Sequence, residues 1–341
     1  MQTRKPSIND LARKLNISKT TVSFILNGKA KEKRISDALV LKVNREAAKL
    51  GYQPNQFAKS LRTGKTNIIG LMVEDISNPF YASIAKIIED KVYQNGYKII
   101  YCSTENDTNR AREFLKMFST LGVDGCIIAP TLGMESDIND MIARGKNIVL
   151  FDKTFSSKLA DTVIINNRQS MYKAVEHLIK RGFRKIALVA MALDKPEKEE
   201  RILGYREAMA DHKLIQHVHA LPFKVHYPDY VTDIEKFLKK NKNLDAIVFG
   251  TNYLGVAGLE AINNIKLSIP TDLAVLSFDD HDLFRIHKPT ISVIAQPIDQ
   301  IAQTVIDTLL SKLQDKKIRK RSGKVFTLPG NLIVRDSTEK Q

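Results

Sequence analysis

From residue 67 onward the chain repeats one grammar: a short unbroken apolar run, a stretch of helical periodicity, then another apolar run. The run at 68–73, I-I-G-L-M-V, shows none of the polar alternation of a half-exposed strand. Such strands are buried on both faces, as happens where helices cover both sides of a parallel sheet. The pattern predicts a helix over 79–94 closed by Gly96, strand 97–102, helix 110–121, strand 125–129, helix 137–143 and strand 147–151. A second series predicts strand 163–165, helix 170–181, strand 185–190, helix 198–209 and a weak strand near 221–225. Helix 228–240, strand 245–249, helix 253–264 and strand 273–278 continue it. Strand 291–295, a long helix 298–313, a basic run 316–324 and a β-like stretch 325–334 finish the chain. Two doubly wound parallel sheets side by side leave a cleft at the carboxyl ends of their strands. No short repeat is visible, which argues against a solenoid.

The first 66 residues keep a different period. Ile8, Leu11, Ala12 and Leu15 recur at helical spacing, as do Val22, Ile25 and Leu26. Ser7 is a helix N-cap, Asn16-Ile17-Ser18 breaks the first helix, and Ser18 caps a second that ends at Asn27-Gly28. Ser36-Asp37 opens a third helix whose stripe is Ala38, Leu39, Leu41, Val43, Ala47 and Leu50, closed by Gly51. Two short helices around a tight turn form the helix-turn-helix pattern, although any small helical hairpin shares it. Charge separates the two. Residues 1–65 hold fifteen Lys/Arg against four Asp/Glu, a net +11 of the chain's +15, and leave +4 for the rest. That asymmetry points to a polyanion bound by the N-terminal segment alone. The basic residues interleave with helices instead of flanking an amphipathic or lipidated segment, which disfavours a membrane surface.

The start is charged and lacks an apolar secretory core, and no apolar run approaches a membrane span. Cys102 and Cys126 lie apart in apolar runs without metal-ligand spacing, as buried thiols of a reducing compartment do. The expectation is a soluble cytoplasmic protein. Gly64-Lys65-Thr66 is half of a phosphate loop, but its first glycine would fall at Lys59. No G-x-G-x-x-G follows a strand, and neither G-x-S-x-G nor H-E-x-x-H occurs. His212, His217, His219 and His226 cluster in sequence, with no Cys or carboxylate at matching spacing for a metal site. No catalytic residue, metal ligand or cofactor is therefore expected.

Two sets of fragments carry a family resemblance. S-I-N-D-L-A-R-K-L-N-I-S-K-T-T-V-S-F-I-L-N-G at 7–28 and L-G-Y-Q-P-N-Q-F-A-K-S-L-R-T-G-K-T at 50–66 form the first. I-I-G-L-M-V-E-D-I-S-N-P-F (68–80), V-D-G-C-I-I-A-P (123–130), V-L-F-D-K (149–153), H-L-I-K-R-G-F-R-K-I-A (177–187), E-R-I-L-G-Y (200–205), L-S-F-D-D (276–280) and L-I-V-R-D-S (332–337) form the second. In order and spacing the whole chain resembles the LacI/GalR bacterial transcription regulators. The resemblance implies a small all-α helix-turn-helix DNA-binding domain plus an α/β periplasmic-binding-protein-like core of two doubly wound parallel-sheet subdomains. It assigns 1–53 to DNA binding, 54–66 to a hinge helix and linker, 67–165 plus about 294–325 to an N-subdomain, and 166–293 plus about 326–337 to a C-subdomain.

The same likeness implies that Lys19, Thr20 and Phe24 read bases in the major groove, while Ser18, Thr21, Ser23 and Asn27 hold phosphates. Relatives commonly place Arg where Phe24 stands; Phe24 offers only apolar contact, for example to a thymine methyl, or else packs into the three-helix core. Asn55, Lys59, Leu61 and Arg62 correspond to the hinge helix, Leu61 wedging into the minor groove at the centre of a two-fold operator. A segment so short and polar is marginal alone and gains order from DNA and a two-fold mate.

In the core, Phe80, Tyr81, Asp152, Arg201, Asn252 and Asp279 correspond to cleft residues, with Phe223 as a further aromatic wall. Carboxylates, an amide, a forked cation and aromatic faces suit a polyhydroxylated ligand. Sugar, sugar phosphate and purine remain open. Asn166-Asn167 and Asn252-Tyr253 depart from the Asp-Asn and Asn-Asp common in relatives, which removes two carboxylates. The expected protein is a homodimeric, effector-controlled regulator of double-stranded operator DNA, a repressor in first place. No apolar heptad follows 325–337, so a coiled-coil tetramer is not expected. The rivals are a sugar-active α/β enzyme tethered to DNA and a protein that coats DNA without sequence preference.

Overall fold

The computed structural model describes residues 6–52, 64–153, 159–192, 199–224, 226–314 and 322–339. The chain forms two compact units, Met1–Thr66 and Asn67–Gln341.

In the first unit, helices α1 (Ile8–Leu15), α2 (Lys19–Leu26) and α3 (Asp37–Lys49) enclose Leu11, Ala12, Val22, Ile25, Val43 and Ala47. Ser7 and Asp10 form a reciprocal capping box, the Asp10 carboxylate accepting from the Ser7 amide at 2.8 Å. Asn16 then turns the chain in the left-handed region, φ 52°, which Asn tolerates better than most residues. Two residues depart from the predicted stripe: Ala38, which is exposed, and Leu41, which is 68% exposed. Leu41 lies two residues from Leu39 and Val43, about 200° around the helix from each, while Leu39, Val43, Ala47 and Leu50 hold the inner face.

The second unit carries two six-stranded sheets. The first half contains β1 (Ile68–Val73), α4 (Pro79–Gln94), β2 (Lys98–Ser103), α5 (Thr108–Leu121), β3 (Gly125–Ile128), α6 (Glu135–Ala143), β4 (Asn147–Phe151) and β5 (Asp161–Ile165). The second half runs through α7 (Asn167–Lys180), β6 (Ile186–Met191), α8 (Glu200–Asp211), β7 (His217–Leu221), α9 (Tyr227–Lys240) and β8 (Ala246–Phe249). It continues with α10 (Asn252–Asn264), β9 (Ala274–Phe278), α11 (Asp282–Ile286) and β10 (Ser292–Ala295). Helix α12 (Ile298–Gln314) returns to pack on α4 and the first sheet, and β11 (Val325–Leu328) and β12 (Asn331–Ile333) close the chain.

Strand order is β11-β5-β4-β3-β1-β2 in one sheet and β12-β10-β9-β8-β6-β7 in the other, the same winding twice. Every pairing is parallel except β10 with β12. In register, Leu71 lies between Tyr101 and Ile127, and Leu188 between Val218 and Val248. Gly204 on α8 lets that helix touch the backbone of α7: a Cβ there would sit 2.1 Å from the Arg168 carbonyl.

Three readings of the sequence need correction. The weak strand expected near 221–225 lies earlier, as β7, because Val218 faces the main core while Leu221 faces the opposite side of the sheet. The β-like stretch 325–334 is two strands in two sheets. β11 pairs with β5, so the last crossing between halves falls after Leu328, beyond the boundary placed near 325. Pro329 lacks an amide hydrogen, and Gly330 fits where a Cβ would meet the Ser170 hydroxyl at 2.5 Å. Helix α11, between β9 and β10, was not anticipated; it is too short to show a period.

Candidate functional site

On the first unit, Ser18, Lys19 and Thr20 stand exposed at the start of α2. The Ser18 hydroxyl accepts from the Thr21 amide at 3.0 Å and shares a 2.8 Å hydrogen bond with the Thr21 hydroxyl. The Asn27 amide donates to the Ser23 carbonyl at 2.7 Å, fixing the far end of the helix. Phe24 lies outside the three-helix core, half-exposed, with the Lys33 ammonium 5.3 Å from its ring centroid. The core-packing alternative for Phe24 therefore fails, and its ring forms part of the outer face of α2. Asn55, Lys59, Leu61 and Arg62 lie outside the described residues.

In the second unit the strand ends converge on a cavity of about 470 Å³. Phe80, Tyr81, Asp152, Arg201, Phe223 and Asp279 all line it. Two of these occupy equivalent places: Asp152 follows β4 and Asp279 follows β9, both in the left-handed region at φ 71° and 66°. Asp is among the side chains that tolerate this conformation, and strained backbone of this kind persists only where its surroundings hold it. The Tyr81 hydroxyl donates to Asp152 at 2.7 Å. Burial first, then the Asp152 and Glu74 carboxylates, keep that hydroxyl well above the usual phenol range, so it stays a donor.

Opposite, Arg201 is fixed from several sides. Its Nε donates to Asn167 at 2.8 Å, its Nη1 to the Gly250 carbonyl at 2.6 Å, and its guanidinium lies 3.8 Å above the Phe278 ring. Asp279 is 3.8 Å from Arg201 and accepts from the Gln296 amide at 2.6 Å. Burial raises the Asp279 carboxyl above its ordinary range despite both partners. Asn252, 2% exposed, donates to Asn78 at 3.1 Å across the cleft and lines the adjoining chamber, not this one.

The structure adds residues that sequence reasoning passed over. The Lys153 ammonium donates to Glu74 at 2.9 Å and to Asn106 at 3.1 Å. Burial works against its charge, and the Glu74 and Asp152 carboxylates outweigh it, so the ammonium is held above its usual range. Glu74 follows β1, Lys153 lies two residues past β4 and Gln296 follows β10. Each sits just beyond a strand's carboxyl end, the signal that would have found them. Asp280, next in the chain, is clamped by both terminal nitrogens of Arg335 at 2.9 and 2.7 Å. His219 stacks on Phe237 with ring centroids 4.5 Å apart. Among the described residues no group of three or more His, Cys, Asp and Glu is placed to hold a metal ion, and no helix is long and apolar enough to cross a membrane.

A basic three-helix unit with an exposed second helix, and a two-sheet core with a cleft between its halves, define a class of regulatory proteins. Residues 7–55 match the family profile described as bacterial regulatory proteins, lacI family, and residues 175–338 match that of the periplasmic binding protein-like domain. The chain thus joins a lacI-family helix-turn-helix domain to a periplasmic-binding-protein-like domain. It is 27% identical to the HTH-type transcriptional repressor PurR of Aliivibrio salmonicida over 351 residues, covering 98% of this chain and 99% of that one. It is 28% identical to the ribose operon repressor of Haemophilus influenzae over 333 residues, covering 97% and 98%. The lac repressor dimer, solved bound to operator and the anti-inducer ONPF, superposes with a TM-score of 0.82 at 20% identity over 98% of this chain and 99% of that one, a likeness of fold.

Proposed function

We propose that the chain is a transcription repressor that binds a pseudo-palindromic operator as a homodimer, controlled by a small polyhydroxylated molecule held between Asp152 and Asp279. The observation that carries this reading is the pair of strand-end aspartates lining one cavity from the two halves of the core. A ligand that engages both ties the halves together, and that is how binding energy reaches the segment leading to the helix-turn-helix. A tenfold to hundredfold change in operator affinity requires only about 1.4–2.7 kcal/mol of such coupling.

The cavity also narrows the ligand class. Glu74, Asp152, Glu199 and Asp279 outnumber Lys153 and Arg201, and both cations already face carboxylates. That balance favours a neutral sugar over a sugar phosphate. Lys19, Thr20 and Phe24 are the base-reading candidates, and Ser18, Thr21, Ser23 and Asn27 the phosphate-side ones. The hinge role of Asn55, Lys59, Leu61 and Arg62 rests on sequence likeness. A thermal-shift screen of the purified protein against neutral sugars, sugar phosphates and purines tests the reading, followed by operator binding with and without each hit. A neutral sugar that raises the melting temperature and changes operator affinity supports it. Chemical turnover of the bound sugar would favour the enzyme, and equal affinity for operator and random DNA would favour the coating protein.

A further inference from the structure

The cleft does not end at the cavity just described. A second chamber of about 550 Å³ opens beside it, and the two share Glu74, Asn78, Phe223 and Tyr253 as common walls. Each volume alone lies within the range of a small-molecule site. The chambers differ in chemistry. The second is aromatic: Phe223, Tyr227, Tyr230 and Tyr253 all line it, and Phe223 and Tyr227 remain 41% and 38% exposed. The Tyr230 and Tyr253 rings lie 5.8 Å apart with their planes tilted by 52°. The Tyr230 hydroxyl accepts from the Lys224 amide at 2.7 Å, and the Tyr227 hydroxyl bonds Glu260, so both rings are held in place.

The polar groups set against these rings are Glu74, Asp75, Glu105, Asn78, Asn252, Ser77 and His281, mostly acceptors, amides and a hydroxyl suited to a sugar's hydroxyls. Among the described residues the chamber's one lysine, Lys224, is ion-paired with Asp233. Carboxylates outnumber cations in this lining, a balance that disfavours phosphate and carboxylate. The tilted rings offer single faces, which suit the C–H face of a puckered sugar; a flat base sandwiched between rings needs two parallel faces.

We infer that the effector is a neutral di- or oligosaccharide, one unit held between Asp152 and Asp279 and the next laid on the aromatic wall at Tyr227. This inference rests on the proposed function, which requires only that some polyhydroxylated molecule binds the first cavity. Calorimetric titration of the full chain separates the two. The probes are neutral monosaccharides, each compared with its 1,4-linked disaccharide: glucose with cellobiose and maltose, xylose with xylobiose, mannose with mannobiose. The expected result is a disaccharide that binds about tenfold or more tightly than its own monosaccharide. Tyr227→Ala then removes that advantage and leaves monosaccharide affinity unchanged, while Tyr227→Phe, which keeps the ring, restores it.

A monosaccharide that binds as tightly as its disaccharides overturns the inference and leaves the proposed function standing. So does a Tyr227→Ala protein that retains the full disaccharide advantage. Tighter binding of inosine or of a sugar phosphate than of any neutral saccharide overturns it as well. Absence of binding by every saccharide overturns both readings.

Discussion

The two halves of the core share one winding and part ways in what they attach to it. Each ends its fourth strand on an aspartate in the left-handed region, Asp152 in one half and Asp279 in the other. Asp152 accepts a tyrosine hydroxyl, and its lysine neighbour donates to Glu74 and Asn106 along the same cavity wall. Asp279 is closed in by Arg201 and Gln296, and burial raises its pKa. All seven histidines of the chain follow residue 166, and both cysteines precede it. A repeated backbone thus places equivalent carboxylates, and side chains from unrelated positions decide how each one is held.

That asymmetry gives removal of the cation an unequal cost in the two halves. Arg201→Ala leaves the buried Asp279 facing no guanidinium and is expected to lose roughly 3 kcal/mol in a urea melt, together with ligand-induced stabilisation. Lys153→Ala removes a lysine that is 35% exposed but strands Glu74, itself 14% exposed, and is expected to cost about 1–2 kcal/mol, less than Arg201→Ala. Equal losses would break the comparison.

A second contrast concerns packing. Gly258 on α10 lies so close to Phe249 on β8 that an added Cβ would sit 2.0 Å from the ring. Gly258→Ala is expected to cost about 2 kcal/mol by overpacking the second half, read in the same melts. Hydrogen exchange should show the loss of protection concentrated in β8 and β9, with β1 and β3 spared.

Tyr81→Phe sharpens the aspartate contrast from the other side. It deletes the hydroxyl that Asp152 accepts and is expected to cost about 1 kcal/mol of stability, with a several-fold loss of ligand affinity. Gln296→Leu, which strips a donor from the more buried Asp279, should lose more affinity than Tyr81→Phe in the same titration.

The smallest expected effect is of pH. Burial lowers the pKa of His177, aided by Arg181, and of His219, where Asp233 opposes the shift and Lys224 adds to it. A histidine whose folded pKa is depressed binds fewer protons folded than unfolded, so stability falls as pH drops below about 6.5. Mild acid should lower the melting temperature by a few degrees and expose α7 and β7 to exchange before the first sheet. The double variant His177→Gln, His219→Gln should flatten that slope; an unchanged slope would place acid sensitivity elsewhere.

Much of the molecule was legible in the sequence because its signals are local. Continuous apolar runs marked most buried strands, and helical periodicity with Ser7, Ser18 and Ser36 as caps marked the three N-terminal helices. Six of the seven cleft residues that the family resemblance implied line one cavity; the alternation marked where strands end, and the resemblance supplied the side chains. Asn252 fell in the neighbouring chamber because its amide is spent on Asn78, a residue of the other half. Glu74, Lys153 and Gln296 follow strand ends too, but only the folded chain shows that their side chains turn into the cavity.

By itself, then, the sequence determined two architectures, a basic three-helix unit and a doubly repeated parallel sheet, because both are written in residue spacing. Only the tertiary structure decided where 325–334 divides, that Phe24 stays outside its core, and which residues join Asp152 and Asp279 around the cleft. The reason is distance along the chain. Periodicity reports which face of a segment is buried, whereas β11 finds β5, and Arg335 finds Asp280, across stretches of chain that carry no record of the partner. Such choices are settled by which pairings pack together at once, and no single stretch of sequence contains them.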